Sequence, residues 1–533
     1  MFIKPVDPAL TPDKNAWENL TLYRNGVFYA FFGTGRKTES NPSAYPIGLD
    51  IYKSSDGVHW QSVAEDLLPL VGAHAGFGAH WIGDSVYYYP TCSGPEQDVH
   101  FKIYRSKDLI HWQHVGDECD VPLDRTFYHE RWDELMILQD VDETGRTVLY
   151  GYISSETRED VGEPGAGMVR SYDGIHWDVL PPAEIIWGDL PSQHMEVNFA
   201  VKIDGQYYLS MSGRAYLDSF GYSLYTFIGN SPAGPFYPDL EQFRLAGTSR
   251  REVTWLGHTI NTPDGLLVAL WLSHEKTRDL PSQTFAIGSL KRLICTNGHL
   301  RLAYWDGTEA AKGEEITLDL PAASMDHPAV KVRTSQDWMK IPEPAGNVVE
   351  MQASRDGAIV LLNETFNSRQ GFILEGTLCA RENRQHVAGH QKCAAAGFYF
   401  EEQPGSGIAV LAETLGVTRI GPLRYADHKI TDRDDYAHAA NALIEYRSGA
   451  LQGTLEFDYE DTVGPFGHAA VCGIRHGRTH RFRLLARDDI FELFIDDGYV
   501  QTYLLPETMT GRIGLCVIDG ICSFDLKAYA MSF

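Results

Sequence analysis

A seven-residue phrase is written three times in this chain. It reads SSDGVHW at 54–60, SKDLIHW at 106–112 and SYDGIHW at 171–177, and its aspartates, Asp56, Asp108 and Asp173, lie 52 and 65 residues apart. A repeat of that period, somewhat above that of familiar propeller blades, is the signature of stacked supersecondary units. An aromatic β-run precedes each copy: GVFYAFFGTG, DSVYYYPTC and TVLYGYIS. Two more runs, QYYLSMSG at 206–213 and GLLVALWLS at 265–273, continue the series without the phrase. Each run follows a turn signal, RNG, IGD, DETG, IDG or TPDG, as antiparallel hairpins require. One unit is then a strand, a turn, an aromatic strand, a third strand ending in Ser-x-Asp, and a Trp-bearing fourth. Five such units fit residues 1–305. The expected fold is all-β, a five-bladed β-propeller followed by a β-sandwich. In that frame the repeated phrase is scaffold. Asp-Gly turns the outer hairpin and Trp packs between neighbouring blades.

The chain of 533 residues is too long for one core. Short alternating strands with Gly and Asp turns from about 350 onward predict the sandwich. The expected division is 1–305 propeller, 306–349 linker and connecting strands, and 350–533 sandwich. Hydrophobic (43%) and charged (22%) contents are ordinary, and the 12% of aromatic residues suits both strands and sugar-lined pockets. A net charge of −27 gives no basic footprint for phosphates, so a nucleic-acid partner is not expected. There is no apolar run of about 18 residues, so no membrane span is expected. The N-terminus shows no apolar targeting segment, and the eight cysteines are scattered without CxxC spacing. Both features predict a cytoplasmic protein with reduced thiols. No phosphate-cradling loop, nucleophile elbow or metal-ligand cluster stands out, so neither cofactor nor metal is expected. The sequence leaves oligomerisation open.

Function is expected where the repeats cease to be equivalent. Aligned on the turns that end them, the innermost strands read AWENLTLYRNG, RWDELMILQDVDETG and HMEVNFAVKIDG in blades one, three and four. Each places an acid after a bulky residue at the mouth: Glu18, Asp133 and Glu196. Blades two and five carry none there. Three carboxylates aimed into one funnel are costly, because burial beside like charge disfavours ionisation. Glycosidic-bond chemistry uses that arrangement. One carboxylic acid protonates the leaving oxygen, a second attacks or activates water, and a third stabilises the oxocarbenium-like transition state.

At these residues the chain resembles the five-bladed propeller glycosidases of glycoside hydrolase family 32 and its relatives in families 68, 43 and 62. The strand MEVNFAVKIDGQYYLSMSG is similar to the acid-bearing strand of families 43 and 32. GSLKRLICTNGHLRLAY at 288–304 resembles the segment that closes the family 32 propeller, and HRFRLLARDDIFELFIDDGYVQTYLL at 480–505 a strand pair of the following sandwich. The resemblance implies Glu18 as nucleophile, Asp133 as transition-state stabiliser and Glu196 as acid/base in a retaining reaction on a furanoside such as a β-fructofuranoside, hydrolytic or transglycosylating. The lack of a visible targeting segment suggests a substrate small enough to be imported, a small oligosaccharide. The chain departs from the family at each motif. Trp17-Glu18-Asn19-Leu20-Thr21 replaces Asn-Asp-Pro-Asn-Gly. Glu130-Arg131-Trp132-Asp133-Glu134 replaces Arg-Asp-Pro, leaving Glu130 and Glu134 as competitors of Asp133. Glu196-Val197 replaces Glu-Cys.

His74, Phe77 and His80 fall where the family carries a sugar-contacting Phe-Ser-Gly segment. Trp17, Asn19, Arg131 and His194 flank the acids, although strand alternation turns Asn19 away from Glu18. Trp255 is read as a sugar-stacking wall or as core. Asp140, Asp142 and Glu143 form an acidic turn expected to be solvated. Two other readings stand beside the retaining one. The first is an inverting arabinofuranosidase or xylosidase with Glu18 as general base, and the second is a carbohydrate-binding propeller without chemistry.

Overall fold

The computed structural model describes residues 13–41, 47–67, 73–93, 99–214, 222–247, 254–273, 285–318, 330–333, 348–353, 357–382, 394–414, 418–426, 429–430, 468–470, 474–504 and 508–532. The chain divides into two compact units, the first ending at Ala310 and the second continuing from Ala311.

The first unit is built of five antiparallel sheets. Their innermost strands are Lys14–Arg24, Ala73–Ile82, Tyr128–Val141, Glu196–Ile203 and Thr254–Thr262. Blades one and three are simple four-stranded meanders. Blades two and four carry extra short outer strands, and in blade five Phe285–Ile287 pairs beside the meander. Each innermost strand contacts those of the two adjacent sheets, and the fifth contacts the first. The ring therefore closes as a five-bladed β-propeller. Left-handed Asn25-Gly26 and Asp204-Gly205 pairs make the tight turns that end the innermost strands of blades one and four.

The three copies of the repeated phrase form one and the same turn. In the first, Ser54 Oγ donates to Asp56 Oδ1 at 2.9 Å and accepts from Gly57 N at 2.8 Å. Asp56 Oδ1 also accepts from Val58 N and His59 N, while Oδ2 meets His59 Nδ1 at 2.7 Å. Asp108 and Asp173 repeat the pattern. The left-handed position is Gly57 and Gly174 in two copies and Leu109, at φ 68°, in the third. The tryptophans behave less uniformly than expected. Trp177 packs on Tyr89 of blade two at 5.8 Å, and Trp60 joins the apolar cluster shared by blades one and five. Trp112 sits on Tyr88 of its own blade.

Polar pins join the blades. Arg24 lies 4.4 Å over the Trp81 ring, Tyr89 Oη donates to Gly174 O, and Tyr208 Oη donates to Gly298 O. Thr21 N donates to His258 Nε2 at 2.5 Å, across the closure of the ring. The acidic turn at 140–143 differs from its expectation at Asp140, while Glu143 is exposed as expected. Asp140 is largely buried and binds Lys202 Nζ at 2.9 Å and Tyr207 Oη at 2.5 Å, pinning blade three to blade four. Two donors on the neighbouring blade outweigh the solvation its sequence context suggested.

The second unit is a β-sandwich. One sheet contains Gly498–Leu504, Ile490–Ile495, Thr479–Arg487, Phe372–Glu382, Gly520–Met531, Val348–Gln352 and Val330–Arg333 in spatial order, with Lys312–Ile316 also paired to Gly520–Met531. The other is centred on Thr510–Ile518, Ala395–Gln403 and Ser406–Glu413. A phenylalanine-rich core fills the space between them, with Phe398 and Phe482 at 4.6 Å. The described strands of the 306–349 segment pair within this unit rather than standing apart from it.

Candidate active site

The candidate site lies within the propeller and rests on a feature repeated in every blade. All five innermost strands break register near the mouth. The shifts fall between Ala16 and Asn19, Ala73 and Phe77, Tyr128 and Trp132, Asp133 and Leu135, Val197 and Phe199, and Thr254 and Gly257. A β-bulge bends a strand and interrupts its alternation, re-aiming side chains. Glu18 lies inside one bulge. Glu134 is the extra residue of another and adopts φ 58°, a conformation that costs a non-glycine residue about 1–2 kcal/mol.

The bulges bring four carboxylates and one guanidinium together. Carboxylate oxygens of Glu18, Asp133 and Glu134 all lie within 4.8 Å of one another. Arg131 Nη2 lies 2.5 Å from Glu196 Oε1 and 3.7 Å from Asp133 Oδ2. Asp133 Oδ1 accepts from Thr91 Oγ1 at 3.1 Å and from Glu134 N at 3.1 Å. Ser154 Oγ donates to Glu134 Oε2 at 2.5 Å and accepts from Val197 N at 2.8 Å, tying blade three to the acid-bearing strand of blade four. Glu18 and Glu196 are each 8% exposed and Glu134 1%. Glu18 Oε2 is buried without a hydrogen-bond partner.

Blade two supplies room instead of an acid. A Cβ on Gly76 would lie 1.5 Å from Asp133 Oδ1, so the blade-three carboxylate occupies the place of a blade-two side chain. A cleft of about 390 Å³ opens beside these groups, lined among others by Thr91, Glu130, Arg131, Asp133 and Glu156. That volume suits a small ligand.

The electrostatics follow from burial of like charges. Burial is the largest influence on Glu18 and raises its pKa well above the usual carboxylate range. Asp133, Glu134 and Glu196 push the same way, and Arg131 opposes them. Glu134 is raised for the same reasons, burial first and then Glu196 and Asp133. Burial works against the charge on Arg131, but Glu196, Glu134 and Asp133 outweigh it, and the guanidinium stays ionised.

The sequence-selected residues separate into groups. Glu18, Asp133, Glu196 and Arg131 come together. Trp17 and Trp255 sit half-buried in the bulges of blades one and five. Asn19 is fully buried with no hydrogen-bond partner on its amide. Phe77 is buried against Tyr88 at 5.0 Å, and His194 is exposed in the loop before Glu196. His80 stands three residues from the turn at Gly83, at the far end of its strand from the mouth, so it does not join the acids. Burial lowers its pKa to about 4, which leaves it neutral. His74 lies in the blade-two strand, with its side chain outside the described residues. Of the two competitors of Asp133, Glu130 is exposed at the cleft rim and Glu134 is inside the cluster. Strict alternation would set Glu134 on the opposite face from Asp133, and the bulge overrides it. Ser154, Thr91 and Gly76 were not singled out from the sequence. A glycine within a strand run, which often marks a close backbone approach, was the available signal for Gly76.

Elsewhere, His114, Asp117 and Asp120 hold ligand-type atoms within 4.8 Å of one another. His114 Nε2 is already bound to Asp120 at 3.0 Å, and Asp117 is 91% exposed.

Solved structures with a similar fold include a sucrose-6-phosphate hydrolase, a fructofuranosidase and a fructan exohydrolase. Sucrose-6-phosphate hydrolase from Lactobacillus gasseri is 14% identical with TM-score 0.56, over 98% of this chain and 90% of that one. A Bombyx mori GH32 beta-fructofuranosidase is 12% identical with TM-score 0.58, over 97% and 90%. Fructan 1-exohydrolase IIa from Cichorium intybus is 10% identical with TM-score 0.56, over 97% and 95%. At these identities the likeness is one of fold. No protein-family model matches the chain, and no curated protein matches it.

Proposed function

We propose that the protein is a glycoside hydrolase that releases a furanosyl unit, β-fructofuranosyl in first place, from a small oligosaccharide by double displacement. The observation that carries this reading is the cluster itself: Glu18, Asp133 and Glu196, from three blades, converge around Arg131 beside a ligand-sized cleft. The fold likeness to fructofuranosidases supports the choice of sugar.

In the first step a Glu18 carboxylate oxygen attacks the anomeric carbon. The bond to the leaving oxygen breaks, and that oxygen takes the proton of Glu196. Asp133, held by Thr91 and the Glu134 N–H, faces the ring hydroxyls and the developing positive charge. In the second step water attacks the same carbon, gives its proton to Glu196, and the bond to Glu18 breaks. A sugar hydroxyl in place of water gives transglycosylation. Arg131 holds Glu196 in place until substrate enters. A cytoplasmic setting is part of the proposal, supported by the six described cysteines being free thiols.

The test is sugar release from sucrose, fructo-oligosaccharides, difructose anhydrides and aryl arabinofuranosides, by wild type and by Glu196→Gln. Fructose release by the wild type, lost in the variant, supports the proposal. With an activated aryl furanoside, Glu196→Gln should accumulate a glycosyl-enzyme whose added mass maps to Glu18. Arabinose release would replace the fructoside by an arabinofuranoside. Sugar binding without turnover on any substrate would leave a carbohydrate-binding propeller.

A further inference from the structure

The proposed mechanism needs Glu18 ionised when it attacks, yet the site is short of positive charge. Four carboxylates face each other, and Arg131 is the one cation among the described groups of the cluster. Arg131 is engaged with Glu196 and, at longer range, with Asp133. Like charges confined this closely cannot all ionise, so the cluster holds at least one proton at neutral pH. The mechanism places one on Glu196, and where a second rests decides whether Glu18 can attack.

Glu134 is built to take it. Its side chain is the most buried of the four, at 1% exposure. Its backbone is held left-handed in the bulge, which turns it inward beside Asp133 rather than to the opposite face of the strand. One carboxyl oxygen is fixed by the Ser154 hydroxyl. Ser154 is itself oriented by the Val197 N–H, so the donation to Glu134 is set by the strand that carries Glu196. Across the cluster Glu18 keeps a buried oxygen, Oε2, with no hydrogen-bond partner. The groups facing this pair are Asp133 and Arg131 on the same strand as Glu134, Ser154 on the next strand, Glu196 on blade four, and Tyr88 on blade two beside Glu18.

We infer that Glu134 is a positioning residue that carries a second proton, besides the one Glu196 donates, and offers it to the buried oxygen of Glu18, so that Glu18 attacks as a carboxylate. Burial raises Glu134 and Glu18 alike, and the Ser154 hydroxyl opposes the rise at Glu134, so it is the geometry that places the proton on Glu134. The inference rests on the glycosidase reading for its consequence, and on the charge count and geometry for its substance. Glu134 does not touch substrate. It acts through Glu18.

Two readouts test it, and one needs no sugar. Infrared difference spectra of wild type and Glu134→Gln at neutral pH separate protonated carboxyls from carboxylates. The wild type should show a protonated-carboxyl component that the variant lacks, on top of the one Glu196 contributes to both. An unchanged protonated-carboxyl band, with the carboxylate band alone reduced, would overturn the inference, whether or not the protein cleaves sugars. The second readout is the pH profile. Glutamine keeps an acceptor for Ser154 and a donor towards Glu18 but cannot lose a proton. Glu134→Gln should therefore keep kcat within about tenfold of wild type and move the alkaline limb of kcat/KM up by about one pH unit or more. Glu134→Ala should lose about a hundredfold in kcat with KM little changed, because Glu18 then lacks its hydrogen-bond donor. A Glutamine variant as inactive as the alanine variant, or one with a pH profile superimposable on wild type, would sink the role. If the sugar panel is silent but the band is lost as expected, the glycosidase reading fails and the proton assignment stands.

Discussion

The placement of Asp133 depends on the absence of a side chain on another blade. In Gly76→Ala, an ideally placed Cβ would lie 1.5 Å from Asp133 Oδ1, 2.4 Å from Asp133 Cγ and 2.8 Å from Glu134 N. Ordinary van der Waals contact begins near 3.4 Å, so the carboxylate must retreat by about 1.5–2 Å, within the general limits of close packing. A misplacement of about 1 Å can cost about a hundredfold in rate, so kcat/KM should fall by at least about that factor. The stability cost should be about 1–3 kcal/mol for an overpacked site, since the carboxylate can swing aside and only Glu134 N, at 2.8 Å, needs a small backbone shift. Gly78→Ala is the matching control. There the new Cβ would meet Leu135 O at 2.2 Å, and a backbone carbonyl in a strand ladder cannot swing, so stability should suffer more than catalysis. The assay is kcat/KM per folded molecule, with urea unfolding of each variant for the folded fraction. A folded Gly76→Ala enzyme with kcat/KM within about threefold of wild type would refute the claim that Asp133 works from this position.

Other consequences can be measured independently. Arg131→Gln removes the cation that opposes the rise of Glu18, so the acid limb of kcat/KM should move to higher pH; an unmoved limb would show that the two groups are not coupled. Asp173→Ala strips the acceptor from Ile175 N, His176 N and the His176 ring and should cost about 1–3 kcal/mol in urea unfolding. Asp56 and Asp173 have pKa values lowered because their hydrogen bonds outweigh burial. Their contribution is therefore complete above the ordinary carboxylate range and lost as pH falls below it, which a Tm-against-pH series would show. His258 is driven down to about 3 by burial. The unfolded chain protonates it near pH 6.5 and the folded protein does not, so stability should fall as pH drops from about 6.5 towards 3, by up to about 1.4 kcal/mol per pH unit. His258→Gln should flatten that slope, and an unchanged slope would remove His258 from the account.

Much of the fold could be read from residue order because its rules are local. Alternating aromatic runs between Gly, Asn and Asp turns specify antiparallel hairpins, and the repeated phrase builds the same hydrogen-bonded turn in three blades. The three mouth acids were legible for a related reason: repeats align on their turns, and an acid at one register stands out against equivalents that lack it. Trp112 shows the limit of that reasoning. It shares its phrase with Trp177, yet packs within its own blade, because the partner surface belongs to neighbours the phrase does not encode.

The sequence by itself determined the five hairpin units, the all-β class, and Glu18, Asp133 and Glu196 as the acids to watch. Tertiary structure alone decided that Glu134 is a fourth member of the cluster, that Gly76 makes room for Asp133, that Ser154 links two blades, and that His80 stands apart. The physical reason is the β-bulge. Alternation predicts side-chain direction while the ladder is regular, but one extra residue reverses it, and whether a strand bulges depends on how its neighbours pack around the closed ring.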